Sequence, residues 1–236
     1  ENILIMRFQM KNKLSELRKE ILRSQKIENK NIKSILKWLK KRDKVNNMKV
    51  SKTSVNELKD WYFKKNGNLF HKSGQFFSVE GVKVKNAVER ETSSWSQPIL
   101  NQKHGGILAI LTRTNKDIVE FLLFARKEPG DNSIKLCPSF SATQSNINRA
   151  HGGKKTPLSE FVLNNKRNII GETIHYEEGA RFWKKPNKNV IINIDHKKSL
   201  KIKNPDFICL NFLQIKKLNL KKGVLNPFVK TILFMI

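Results

Sequence analysis

The chain has 236 residues, 38% of them hydrophobic, which is enough for one or two domains with a real apolar core. Its 47 Lys and Arg against 20 Asp and Glu give a formal charge of +27, which attracts nucleic acid, acidic membrane surfaces and phosphorylated small molecules alike. Two distant cysteines, Cys137 and Cys209, with no CxxC and no histidine at metal spacing, exclude a disulfide framework and a structural zinc site.

No apolar run approaches the roughly 20 residues of a membrane span, and Glu1 to Met6 lack the charged-then-apolar order of a signal peptide. A soluble, cytoplasmic protein with no membrane partner is the expectation. Residues 1–50 carry 15 Lys or Arg and 5 Asp or Glu, and are expected to form a basic helical segment. Ile32, Ile35, Leu36 and Leu39 fall at i, i+3, i+4 and i+7, one apolar stripe on a helix. Leu14, Leu17 and Ile21 suggest an earlier helix of the same kind, and both stripes are expected to pack on the chain's own core.

Beyond residue 50 the texture changes. Ser54-Val55-Asn56-Glu57 fits a capping box, which predicts a short helix through Leu58 and Trp61. Gln75 to Val79, then Val82 and Val84 beyond Gly81, read as strand, turn and strand. Ile107 to Leu111 and Ile118 to Ala125 are apolar runs joined by Thr114-Asn115-Lys116-Asp117, a hairpin with both faces covered. Residues 131–157 are polar and rich in Gly, Pro, Ser and Asn, and read as a long functional loop. Leu158 to Ile170 and Asn211 to Leu218 read as helices, and Val190 to Ile194 as a strand. The segment Pro227 to Ile236 reads as exposed apolar surface, for a continuation of the chain or for a partner. Strands with a few packed helices make an α+β pattern.

The signatures GxSxG, GxxxxGK[ST], HExxH and GxGxxG do not occur, so hydrolase, P-loop and Rossmann chemistry lose their sequence support. Chemistry concentrates instead in Ser139 to Gly153, where hydroxyls, amides, Arg149, His151 and a glycine pair occur together. Such groups suit a phosphate and a sugar: amide and hydroxyl donors for oxygens, Arg for charge, Gly for close approach. A solvated loop of Ser and Asn turns is the plain alternative. Ala125 to Gly130, with Glu128, leaves a strand into a turn and forms a second polar group.

Six runs in order extend the reading: Phe76–Val84 (FFSVEGVKV), Trp95–Leu100 (WSQPIL), Gly106–Ala109 (GILA), Phe121–Asn132 (FLLFARKEPGDN), Leu136–Asn146 (LCPSFSATQSN) with Arg149 and His151-Gly152-Gly153, and Glu178–Phe182 (EGARF). Over about residues 58–230 the chain resembles the NDP-hexose 2,3-dehydratases. The resemblance implies a Nudix-like mixed-sheet module with flanking helices over residues 51–236, one of two in a normal family member, assembled as a homodimer. It implies a lyase that removes water across C2 and C3 of a dTDP-4-keto-6-deoxyhexose in deoxysugar biosynthesis. By position it implies substrate contacts from Trp61, Thr143, Gln144, Ser145, Asn146, Ile147, Arg149 and Arg181.

Against the family pattern, Gln144 stands for an Arg and Ile147 for a Tyr, and the expectation is of one module without the second. They keep a second reading open, a non-catalytic nucleotide-sugar-binding or dimerisation module or an inactive fragment. A nucleic-acid binder is the third reading, but aromatics are 8% and show no RNP-like arrangement. The implied reaction is redox-neutral, so no cofactor is expected. A Nudix-type Mg²⁺ site is not expected either, because only Glu177-Glu178-Gly179 resembles the carboxylate-rich box. His151 is the favoured acid or base, as the side chain that titrates nearest neutrality, with Glu128 second and Ser145 or Asn146 as donors to O4.

Overall fold

A computed structural model describes residues 2–194 and 202–236, with side chains described from residue 9 onward in the first helix. The architecture is α+β, as the sequence pattern predicts. Helices α1 (Asn2–Ser24) and α2 (Lys33–Val45) come first, then a small antiparallel sheet in the order β1 (Trp61–Phe63), β2 (Leu69–His71), β3 (Ser78–Val84), β4 (Trp95–Asn101). A seven-stranded sheet follows, built on β5 (Gly106–Asn115), β6 (Ile118–Arg126), β7 (Lys135–Pro138), β8 (Phe140–Thr143), β9 (Ile169–Tyr176), β10 (Pro186–Asn193) and β11 (Phe207–Asn211). Its main path runs β11-β6-β5-β10-β9, with β7 on β6 and β8 on β5. Short helices α3 (Gln144–Ile147), α4 (Ser159–Asn164), α5 (Phe212–Asn219) and α6 (Pro227–Leu233) complete it.

Strands β5 and β6 form the expected hairpin, with Asn115 opposite Ile118 and Lys116 and Asp117 both at positive φ, 48° and 63°. Two such residues in a two-residue loop match the right-handed twist of the flanking strands. Both sheet faces are covered. Leu108, Ile110, Phe121, Leu123 and Ile191 pack in one core with Leu17 and Ile21 of α1, Ile35 and Leu39 of α2, and Ile215, Val229 and Ile232 of the last helices. Their strand neighbours Ala109, Leu111, Leu122, Val190 and Ile192 pack in the other with Phe140, Ala142 and Val162. This period-two division explains why these strands are apolar almost throughout. Both amphipathic stripes near the N-terminus therefore serve the chain's own core. At Gly171 of β9, an added Cβ would lie 2.8 Å from Leu14, so α1 seats closely there.

Strands β5 and β6 pair at Leu111–Asn115 and Ile118–Leu122 and then diverge. Into the fork runs one segment that pairs with β6 as β7 and, after Ser139, with β5 as β8. Ser139 is buried at the switch. Its hydroxyl accepts a hydrogen bond from Leu111 N–H and donates one to the Leu122 carbonyl, bonding the last paired residues of both strands.

The structure corrects five expectations. No capping box forms at Ser54: its Oγ accepts from Asn56 N at 3.3 Å, Glu57 accepts from Thr53 Oγ1, and only a 3₁₀ turn over Val55–Glu57 results. Asp60 then takes φ 65°, which ends any helix, and Trp61 opens a strand. Gly81 makes no turn; β3 passes through it, with Gly81 opposite Pro98 on the edge strand β4, where a missing N–H is tolerated. The polar run 131–157 contains two buried strands and one turn of helix. Only Ser159–Asn164 of the expected 158–170 helix forms, since Ile169 and Ile170 join the sheet. In the segment from Pro227, Val229, Ile232 and Leu233 are core residues, and Phe234 is the large apolar side chain left exposed.

Candidate functional site

The β8–α3 junction faces the small sheet across a cleft of about 1010 Å³. One wall is Gln144, Ser145 and Asn148. The other takes Lys64, Phe70, His71, Lys72, Ser78, Glu80 and Asn101 from the small sheet and its turns, and Lys103 and His104 from the β4–β5 connection. Three lysines and a single carboxylate, Glu80, make the charged lining among the described residues.

Each wall has a local cause. Thr143 caps α3: its Oγ1 accepts from Asn146 N at 3.4 Å and shares a hydrogen bond with Ser145 Oγ at 2.8 Å. Ser145 is buried apart from its edge of the cleft. Opposite, His71 is held between rings, Trp61 at 5.3 Å and Phe76 at 4.6 Å, both edge-on. His71 Nδ1 accepts from the Ser73 amide at 3.2 Å and shares a hydrogen bond with Ser73 Oγ at 2.9 Å, which leaves Nε2 as the ring nitrogen not engaged by Ser73. Glu80 Oε1 accepts from Ser78 Oγ at 2.5 Å and Asn101 Nδ2 at 2.9 Å. Lys64 Nζ lies 4.0 Å from the centre of the Phe70 ring. The connection Gln102 to Gly105 is set by close backbone approach, since a Cβ on Gly105 would fall 1.6 Å from the Pro186 carbonyl oxygen.

The expected substrate residues divide. Gln144 and Ser145 line the cleft, Thr143 bonds to Ser145, and Trp61 lies outside the lining, packed against His71. Gln144 Nε2 donates to Asn148 Oδ1 at 2.9 Å. Asn146 contributes the backbone N–H of the α3 cap, and Ile147 packs against the second core. Arg149 and His151 fold away into a tight turn: Arg149 Nε donates to Gly153 O at 3.0 Å, and His151 Nδ1 accepts from Gly153 N at 2.8 Å. Both are exposed, and neither lines the cleft. Glu128 pairs with Arg126 at 2.5 Å, and exposed Arg181 pairs with Glu178 at 3.2 Å, also outside the lining.

Lys64, His71, Lys72, Lys103 and His104 carry no motif, and sequence reasoning assigned them no role. Ser78 and Glu80 are two apart in a strand and so share a face, a readable signal, but nothing in the sequence places that face against Ser145. The two thiols take no part. Burial pushes Cys137 up to about 11 and raises Cys209. No group of three or more His, Cys, Asp or Glu is arranged to hold a metal ion among the described residues. No helix among them is long and apolar enough to cross a membrane.

A dTDP-4-dehydro-6-deoxy-α-D-glucopyranose 2,3-dehydratase of Saccharopolyspora spinosa is 31% identical over 199 residues, 83% of this chain and 40% of the relative. Its namesake from Amycolatopsis orientalis is 34% identical over 165 residues, 66% of this chain and 34% of the relative. A third, from Streptomyces violaceoruber, is 30% identical over 162 residues, with 36% of the relative covered. The chain thus spans about two-fifths or less of the length of these relatives. The profile of the NDP-hexose 2,3-dehydratases matches residues 32–236, from α2 through both cleft walls to the last helix, and the chain belongs to that family.

Proposed function

We propose that the cleft binds a dTDP-linked 4-keto-6-deoxyhexose and serves the loss of water across C2 and C3 that the relatives' names describe. One observation carries this: the polar segment from Thr143 to Asn148 meets a lysine-lined sheet across a cavity of nucleotide-sugar size. Lys64, Lys72 and Lys103 supply charge for a diphosphate, and the Phe70 and Phe76 rings supply flat apolar surface. A ketone at C4 acidifies the C3 proton, because the carbanion spreads onto O4 as an enolate. His71, through the Nε2 that Ser73 leaves unengaged, and Ser145 are the donors for that oxygen or for the departing C2 hydroxyl. Losing one such donor typically costs roughly 10²- to 10³-fold in rate.

His151 and Glu128, favoured from residue type, lie outside this lining. Measured side by side, His71→Gln and His151→Gln therefore differ, with the larger rate loss at His71. The family resemblance supports a Nudix-like module, a homodimer and a cytoplasmic setting as part of the same proposal. Two unpaired thiols, Cys137 buried and Cys209 half-buried, agree with a reducing compartment.

A second reading, a module that binds the nucleotide sugar without turning it over, is favoured by two side chains. Gln144 stands where the family has an arginine and is tied to Asn148, and Ile147 stands where it has a tyrosine and is packed inward. Titration with dTDP and incubation with dTDP-4-keto-6-deoxyglucose separate the readings. Both expect saturable dTDP binding, weakened roughly tenfold by Lys72→Ala or Lys103→Ala as a charge-assisted contact is lost. Only the first expects an unsaturated or diketo product. Absence of dTDP binding, with salt-dependent DNA binding in its place, rejects both.

A further inference from the structure

We propose that Glu80 is the catalytic base that removes the C3 proton. The assignment rests on the cleft being the nucleotide-sugar site. A pocket that collects Lys64, Lys72 and Lys103 is made for an anion, and a carboxylate there works against its ligand unless it has a task of its own. Among the described residues Glu80 enters no ion pair, so it is not there to neutralise one of the lysines. It is held by two neutral donors instead, the Ser78 hydroxyl at 2.5 Å and the Asn101 amide at 2.9 Å, and both bond to Oε1. That arrangement holds Oε1 from two sides, and among the described residues no hydrogen bond reaches Oε2. Ser78 and Asn101 face each other in register across β3 and β4, so the clamp is built into the sheet rather than into a mobile loop. A base on a rigid strand, with one oxygen clamped and the other free, has the order that proton transfer in a cleft requires.

The step balances without a redox partner. The C3–H bond breaks, its proton passes to Glu80 Oε2, and its electron pair forms C3=C4 as O4 becomes an enolate oxygen. The pair then returns to form C2=C3 while the C2–O bond breaks, and the departing hydroxide takes a proton and leaves as water. The resulting C3 enol becomes a ketone by gaining a proton at C2 and losing the proton on its C3 oxygen.

Glu80→Gln tests the role, since the amide oxygen can still accept from Ser78 and Asn101 while the basic oxygen is lost. With dTDP-4-keto-6-deoxyglucose in D₂O, E80Q is expected to bind dTDP at least as tightly as the unmodified chain. It is expected to exchange the C3 proton ~10²- to 10⁴-fold more slowly. A purely structural Glu80 predicts no change in exchange, and undiminished exchange in E80Q overturns the assignment while leaving the cleft reading intact. Failure of the unmodified chain to bind dTDP overturns both. Binding without any C3 exchange in the unmodified chain overturns Glu80 and the turnover reading together and leaves the binding reading. Should E80Q not bind dTDP, Glu80→Asp carries the test, because it keeps the charge and withdraws the base by one methylene. Retained binding with exchange slowed about tenfold or more supports the role, and unslowed exchange refutes it.

Discussion

Gly105→Ala is expected to lower stability by about 3 kcal/mol, at the upper end of single-substitution effects. The new Cβ would stand 1.6 Å from the Pro186 carbonyl oxygen and 2.7 Å from its carbonyl carbon. Both are backbone atoms at the start of β10, so no side chain can swing aside to make room. Either the connection from β4 lifts away or the parallel pairing of β5 with β10, which begins at Ile107 and Lys188, opens at its first rungs. Lys103 and His104 precede Gly105 directly and line the cleft, so the substitution also disturbs the wall that carries them. Urea unfolding of the purified variant measures the loss, and dTDP titration in the absence of urea measures the displacement. A midpoint within error of the unmodified chain, with unchanged dTDP affinity, shows that the backbone yields at little cost.

Glu28→Ala is expected to cost a similar amount, about 3 kcal/mol, through lost hydrogen bonds to a buried charge. Glu28 sits in the connection between α1 and α2 and is 6% exposed. Its Oε1 accepts from Ser24 Oγ at 2.6 Å, and its Oε2 accepts from Leu213 N at 3.0 Å, in the first turn of α5. Asn211 caps the next amide of that turn, Gln214 N, at 2.8 Å and donates to Asn29 O at 2.9 Å. The carboxylate thus meets the positive end of α5 and joins the N-terminal helices to the C-terminal part of the sheet. Alanine leaves the Leu213 amide and the Ser24 hydroxyl without this acceptor in a dry setting. Glu28→Gln keeps an acceptor and is expected to lose only about 1 kcal/mol. Equal losses for the two variants, read from their urea midpoints, refute the role given to the charge.

The β5–β6 hairpin was legible because two long apolar runs met at a four-residue polar stretch, and α2 because its stripe keeps the helical period. The polar wall of the cleft was legible too. Hydroxyls and amides cannot crowd between buried strands without a reason, and Gln144 and Ser145 do reach the cavity. The opposite wall was not. Strands β1 and β2 are three residues each, too short for any periodicity, and Ser54 with Glu57 imitates a helix start that Asp60 then cancels. His71, Lys72, Glu80 and Lys103 meet Ser145 only through the packing of one sheet beside another, across 40 to 75 residues of chain. His151 is chemical by type, but its Nδ1 accepts from the amide two residues on and the ring lies outside the cleft lining.

Strands that are oily on both sides carry an ambiguity. Sliding β5 or β10 by one position would still bury apolar side chains, so composition alone barely opposes the slip. What opposes it here is sparse and polar. The Ser139 hydroxyl bridges Leu111 and Leu122 at the hairpin end, and Asn187 Oδ1 receives the Gly106 amide at 3.0 Å at the other. Two small side chains, neither of them a reacting group, thereby act as alignment pins for an otherwise permissive interior, and the placement of every cleft residue downstream inherits their precision.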